Sequence, residues 1–204
     1  ATKELFLMYQ PVVSTLTGRI AGAEALLRWN HAERGLLTPP MFLDLAEESG
    51  AIGPIGDWSI RTACADARAW IDAGVVDRSF VMHVNVSTRQ LNDAAFVERV
   101  MGSLRDAQLD AQHLTIEITE KTMLSDNPAV MRTINALKRL GVKLALDNFG
   151  TGYSSLAYLR DYPADYLKLD GSMVRDIGQQ GGDDPIVRSI VQLAHSLNMS
   201  VVAE

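Results

Sequence analysis

The sequence predicts an α/β barrel of irregular topology, and three features of its 204 residues carry that reading. Apolar runs of strand length alternate with segments of helical period, the pattern of parallel strands joined by helical crossovers. Within each run one parity is apolar, while the other bears a carboxylate, an amide or a lysine near its end. The first two runs are separated only by Ser14 to Arg19, too short for a helical crossover, so they pair antiparallel.

Seven runs read as strands: Phe6 to Val13, Ile20 to Trp29, Phe80 to Ser87, Leu114 to Glu120, Lys143 to Asn148, Tyr166 to Asp170 and Val201 to Glu204. Between them, Thr38 with Pro39 and Pro40 opens a short helix that Gly50 closes. Asp57 is the expected cap of a helix ending at Gly74, and Asn92 of one running from Asp93 to Gln108. Asn127 with Pro128 opens a helix that stops at Gly141, and Asp184 with Pro185 opens the last one.

Parity chooses between an open sheet and a barrel. One face carries Gln10, Glu24, Asn85, Glu117, Asp147, Lys168, Asp170 and Glu204; the other carries residues such as Tyr9, Ala25, Val84, Ile116, Leu146, Leu167 and Val201. A doubly covered open sheet would bury the polar set without partners. A barrel points the same set inward, at the C-terminal mouth where barrel enzymes place their sites.

Hydrophobic residues at 47% and charged residues at 22% exclude a disordered or fibrous chain, and the length fits one domain. No apolar run approaches the roughly 20 residues of a membrane span, so a cytoplasmic location is expected, with a larger, membrane-anchored parent still allowed. A net charge of −6 argues against DNA or RNA binding. The one cysteine, Cys64, shares helical spacing with Ile60, Ala67 and Ile71 and reads as a buried apolar thiol rather than a nucleophile.

Carboxylates gathered on one parity ask for metal or phosphate chemistry. The bland alternative is a structural ion-pair network, or loop caps in the case of Asp170 and Glu120. It fails for the set as a whole, because Glu24, Glu117, Asp147, Asp170 and Glu204 would share too few cations. His83 lies one layer below Asn85 and reads as a hydrogen-bonded interior residue, and His31 as part of a loop at the mouth. His113 and His195 have no clustered partner, which argues against zinc. The Gly150-Thr151-Gly152 triplet lacks the third glycine and following helix of a dinucleotide fingerprint.

YQPVV, AEALLRW, VNVS, IEITE, LDNFGTGYSSL, YLKLD and VVAE, in this order, resemble the EAL domain, the bacterial phosphodiesterase family that opens cyclic di-GMP to linear pGpG. The name-giving tripeptide is Glu24-Ala25-Leu26, and the likeness covers essentially the whole chain. It implies an irregular TIM-type (β/α)8 barrel with one antiparallel strand, two Mg²⁺ or Mn²⁺ ions per site and a homodimer as the active form. Residues 1–204 then form a single EAL domain excised from a multidomain signalling protein, with a fused sensory or GGDEF domain expected in the parent. The family would continue past Glu204 into a helix and an eighth strand, so that closure is expected to be missing from this chain.

The resemblance also implies roles. Glu24, Asn85, Glu117 and Asp147 resemble the ligands of one ion; Asp147, Asn148 and Glu204 those of the second, with Asp147 bridging. Oxygen donors of this kind suit Mg²⁺ or Mn²⁺. Lys168 resembles the family lysine beside the attacking water, and an ammonium among carboxylates stays protonated, favouring electrostatic positioning over base duty. Gln10, Arg28 and Asp170 resemble substrate contacts, and Glu120 the glutamate that braces the loop after Gly150. The family motif has a second aspartate where this chain has Asn148. The lost charge predicts a weak second ion site and slow turnover, and it leaves open a catalytically weak EAL domain acting as a cyclic di-GMP receptor.

Overall fold

The computed structural model describes residues 4–123, 127–150, 159–160, 162–175, 177 and 185–204. Its centre is one sheet of eight strands: β1 (Leu5–Val13), β2 (Ile20–His31), β3 (Gly35–Leu37), β4 (Val81–Asn85), β5 (Leu114–Thr119), β6 (Lys143–Phe149), β7 (Tyr166–Leu169) and β8 (Ser200–Ala203). The order is β1-β2-β4-β5-β6-β7-β8, with β3 folded back onto the end of β2. β1 and β3 run antiparallel to β2, and every later pairing is parallel. The seven strands read from the sequence are all present, and β3 is added as a three-residue hairpin partner.

The irregular barrel topology is that of the structure, as an arc with β1 and β8 at its edges. Met8 on the inner face of β1 is correspondingly 48% exposed, whereas inward residues of the central strands, such as Thr115 and Ala145, are fully buried. The outer face is the apolar parity. Val84, Ile116, Leu144, Leu146 and Leu167 pack beneath Ile60, Ala63 and Cys64 of α2, Val100 of α4, and Ile134 and Leu137 of α6. Each fully buried side chain of this size contributes roughly 1.5–3 kcal/mol.

The helices whose bounds fall within the described residues are α1 (Leu43–Ser49), α2 (Ile52–Asp72), α3 (Thr88–Leu91), α4 (Phe96–Asp106), α5 (Glu120–Met123), α6 (Pro128–Arg139), α7 (Gly171–Val174) and α8 (Pro185–Ser196). A 3₁₀ turn at Pro39–Met41 precedes α1, and Gly50 ends α1 in the left-handed conformation at φ 78°. Asn127 caps α6 as expected, its Oδ1 accepting from the Ala129 N–H at 2.9 Å. Asp184 lies outside the described residues.

Two expected caps are corrected. Asp57 lies inside α2, which starts at Ile52 because Pro54 suits a first turn whose N–H groups have no intrahelical partner. Its carboxylate instead receives Arg99 Nε at 2.9 Å, tying α2 to α4. Asn92 ends α3 rather than starting α4. A capping box between Ser87 and Gln90 nucleates α3 directly after β4, and Asp93 Oδ1 accepts the Ala95 N–H at 3.0 Å ahead of α4.

Candidate active site

Register brings the inward polar residues together at the ends of the strands. Gln10 pairs with Glu24 across β1 and β2, and Asn85 with Glu117 across β4 and β5. Lys168, on β7 and only 2% exposed, places Nζ between four carboxylates. It lies 2.6 Å from Glu24 Oε2, 2.8 Å from Glu117 Oε2, 2.8 Å from Glu204 Oε1 and 3.3 Å from Asp147 Oδ1. Asn85 Nδ2 donates to the other Glu24 oxygen at 2.6 Å. His83 Nδ1 stands 2.9 Å from the other Glu117 oxygen.

These contacts set the charge states. Burial alone would lower the Lys168 pKa, but Glu117, Glu24 and Asp147 outweigh it and push it up, so the ammonium is held. Burial opposes the Glu117 charge, yet the His83 hydrogen bond and Lys168 bring its pKa below the ordinary carboxylate range. Glu24 is raised by burial and then by Glu117, against the pull of Lys168. Asp147 is raised by burial, with Lys168 opposing and Glu117 and Glu204 reinforcing the rise.

A β-bulge places Asp147 and Asn148 together at the mouth. Leu146 pairs with Leu167 and Phe149 with Leu169, so β6 spends one more residue than β7 over this step. Asn148 absorbs it at φ 56°, a left-handed conformation that asparagine tolerates better than most residues. Strict alternation would turn Asn148 outward and Phe149 inward. The bulge reverses this: Phe149 is buried in the outer core and both Asp147 and Asn148 line the groove. Asn148 Nδ2 donates to Asp147 Oδ2 at 2.9 Å.

The groove has a volume of ≈ 580 Å³ and an acidic end formed by Glu24, Asp147 and Glu204. Its lining also includes Leu43 and Glu47 of α1 and Ile52 and Ile55 of α2. Gln10 lines it too, as do Ser87, Thr88 and Thr119, to which the sequence alone points with no role. The spacing Ser87-x-x-Gln90, a capping-box signature, is the available signal for the first of these.

Two expected substrate contacts, Arg28 and Asp170, make hydrogen bonds within the chain, and Glu120 is buried. Arg28 is not among the lining residues, and its Nη1 donates to the Leu27 carbonyl at 2.8 Å. Asp170 falls one residue past the end of β7, where it caps α7 by accepting the Ser172 N–H at 2.8 Å. Hydrogen bonding from the Ser172 side chain, and then from its N–H, holds the Asp170 pKa below the usual carboxylate range. Glu120 is 5% exposed, and both its carboxylate oxygens are buried without a hydrogen-bond partner among the described residues. The loop it is expected to brace, residues 151–158, lies outside the described residues.

Other residues are structural. Cys64 is fully buried among the α2 core residues. His113 Nδ1 lies 2.7 Å from the Phe80 carbonyl, and His31 Nδ1 accepts from the Glu33 and Arg34 N–H groups at the turn into β3.

The donor set fits a hard divalent cation on two grounds. Four carboxylates face one ammonium, a surplus of negative charge, and Asp147 Oδ1 is buried with no hydrogen bond among the described residues despite its proximity to Lys168. Among the described residues, no three acidic, His or Cys side chains form a ready-made metal cluster. The Lys168 ammonium holds the centre of the carboxylate set, and each carboxylate oxygen keeps a further lone pair beyond the one it turns to Nζ.

An α/β barrel arc that gathers four carboxylates around one lysine at the C-terminal ends of its strands defines a class of barrel proteins with their site at that mouth. The chain belongs to the EAL domain family, whose profile matches residues 1–204. It is 41% identical over 202 residues to the bifunctional diguanylate cyclase/cyclic di-GMP phosphodiesterase MucR of Pseudomonas aeruginosa, covering 99% of this chain and 29% of that protein. It is 40% identical over 201 residues to the cyclic di-GMP phosphodiesterase NbdA of the same organism, covering 98% of this chain and 25% of that protein. The chain therefore spans less than a third of either relative's length. A solved structure of the PaMucR phosphodiesterase in complex with c-di-GMP superposes with a TM-score of 0.89 at 40% identity, covering 98% of this chain and 81% of that one.

Proposed function

We propose that this chain is a cyclic di-GMP phosphodiesterase domain that hydrolyses the cyclic dinucleotide to linear pGpG with divalent cations. The observation that carries the proposal is the placing of Lys168 among Glu24, Glu117, Asp147 and Glu204, three of which, Glu24, Asp147 and Glu204, line a groove. The relatives and the complexed neighbour named above support the substrate class.

Glu24, Asn85, Glu117 and Asp147 would hold one cation, and Asp147, Asn148 and Glu204 a second. Bound there, Mg²⁺ or Mn²⁺ would supply charge neutralisation at the phosphate and a water acidic enough to attack it. Lys168, kept protonated, donates hydrogen bonds and steadies developing negative charge; it is not a proton acceptor. The attack forms a new P–O bond and breaks one of the two P–O3′ bonds of the ring, leaving a 5′-phosphate and a free 3′-hydroxyl. Gln10, which lines the groove, would contact the dinucleotide. Arg28 and Asp170 would be further contacts, since the bonds to the Leu27 carbonyl and from the Ser172 N–H use one guanidinium N–H and one carboxylate oxygen.

A receptor reading draws on Asn148, because its amide donates to Asp147 where the family motif has a second carboxylate. Incubation with cyclic di-GMP and Mg²⁺ followed by product separation tests both. Linear pGpG supports the enzyme, tight binding without product supports the receptor, and absence of binding rejects both. A homodimer and fused sensory or GGDEF domains in the parent belong to the same proposal, and light scattering of the isolated chain tests the dimer.

A further inference from the structure

The layer beneath the carboxylates contains a polar side chain to which no role is assigned. His83 lies on β4 two residues before Asn85 and is 3% exposed. Register sets it level with Glu24 on one side and Thr115 on the other, one step deeper than the Asn85 and Glu117 pair. From there its ring reaches Glu117 Oε1 at 2.9 Å, while Glu117 Oε2 receives Lys168 at 2.8 Å. Each oxygen of this buried carboxylate is thus committed to a different partner. A carboxylate only accepts, so the ring nitrogen Nδ1 carries the proton of this contact.

The surroundings accommodate the ring. Gly22, paired with Val81 on β4, lets the two backbones approach, since a Cβ there would stand 2.4 Å from the Val81 carbonyl oxygen; it would meet His83 Cδ2 only at an ordinary contact distance of 3.6 Å. Tyr166 on β7 flanks the imidazole at a centroid distance of 5.3 Å. The terminal torsion of a glutamate is broad and roughly two-fold, so one hydrogen bond to Lys168 alone would leave the Glu117 carboxylate free to rock. The second bond, from below, fixes its plane.

We propose that His83 is a positioning residue that fixes the Glu117 carboxylate from beneath, so that its upper oxygen is presented to Lys168 and to a divalent cation at the mouth. The inference rests on the metal-site reading above. Outer hydrogen-bond partners of ligating carboxylates commonly tune metal affinity by about 10–100-fold. Leucine fills similar space without a donor, whereas asparagine keeps an N–H close to the Nδ1 position.

Mn²⁺ binding to the chain, measured by titration calorimetry without substrate, tests this in His83→Leu and His83→Asn, with circular dichroism verifying the fold. His83→Leu is expected to bind Mn²⁺ about 10-fold or more weakly, and His83→Asn close to the unsubstituted affinity. Nitrogen NMR of the unsubstituted chain adds a readout independent of any variant: Nδ1 is expected to carry a proton. Equal Mn²⁺ affinity in folded His83→Leu, no Mn²⁺ binding by the unsubstituted chain, or an unprotonated Nδ1 overturns the proposal. A chain that binds Mn²⁺ but releases no pGpG overturns the phosphodiesterase reading instead and leaves the His83 comparison intact.

Discussion

Lys168 Nζ lies 2.6 Å from Glu24 Oε2, although 144 positions separate the two residues in the chain. The contact closes the arc from β2 to β7 at its mouth, and it puts one positive charge where Glu117, Asp147 and Glu204 also converge. Such a centre is held together electrostatically only while its cation is present.

Replacing Lys168 by Met should therefore destabilise the cation-free chain, by about 3–5 kcal/mol if removing one partner leaves buried charge uncompensated. Turnover should fall by about 10²-fold or more, the usual cost of losing one preorganised donor to developing charge. Mn²⁺ should raise the melting temperature of the variant more than that of the unsubstituted chain, because the added charge replaces the lost ammonium. Thermal melts with and without Mn²⁺ measure this, and equal shifts would refute the electrostatic account.

Asn148→Asp addresses the adjoining bulge. The substitution removes the amide that donates to Asp147 Oδ2 and adds an acceptor with a negative charge. Aspartate also tolerates the φ of 56°, so the backbone need not change. Turnover in saturating Mg²⁺ is expected to rise by about 10²-fold, within the several kcal/mol that a metal supplies. Product release from the two proteins compared side by side checks it; an unchanged rate would remove Asn148 as the weak point.

The limits of what the sequence makes legible have physical causes. Parity exposes which face of a strand is polar, so Glu24, Asn85, Glu117, Asp147, Lys168 and Glu204 are all assignable to one face from strand alternation alone. Parity fails at a bulge, and the joint presence of Asp147 and Asn148 in the groove depends on the extra residue in β6. It fails again past a strand end, which is why Asp170 is a helix cap rather than the next inward residue. Cap residues are equally ambiguous: Asp57 and Asn92 have the right chemistry, but Pro54 and the Ser87–Gln90 box set the helix starts first. The His83–Glu117 bond joins residues on different strands, and no spacing within either segment encodes it.

Metal exchange distinguishes a catalytic cation from a generic counterion. Mg²⁺ and Mn²⁺ accept compact oxygen coordination, whereas Ca²⁺ takes more ligands at longer distances. Ca²⁺ added to the Mg²⁺-loaded chain should inhibit pGpG formation, and a chelator should stop it. Equal rates with Ca²⁺ alone would show that charge neutralisation suffices and coordination geometry does not matter.

Cys64 gives a pH prediction outside the groove. Burial pushes its thiol from 9.0 up to about 12, so the folded chain keeps the proton over a range in which the unfolded chain releases it. With fewer protons on the unfolded state, stability is fully present below pH 9.0 and declines as pH rises toward about 12. The slope from this group is about 1.4 kcal/mol per pH unit. Tyr9 and Tyr162, also raised by burial, add to the decline, so the informative quantity is the difference on removing the thiol. Cys64→Ala should flatten the decline by one proton's worth in urea melts across this range. The native thiol should also resist a disulfide reagent until the chain unfolds, since a buried protonated thiol is a poor nucleophile. Rapid modification of the folded chain at neutral pH would contradict both expectations at once.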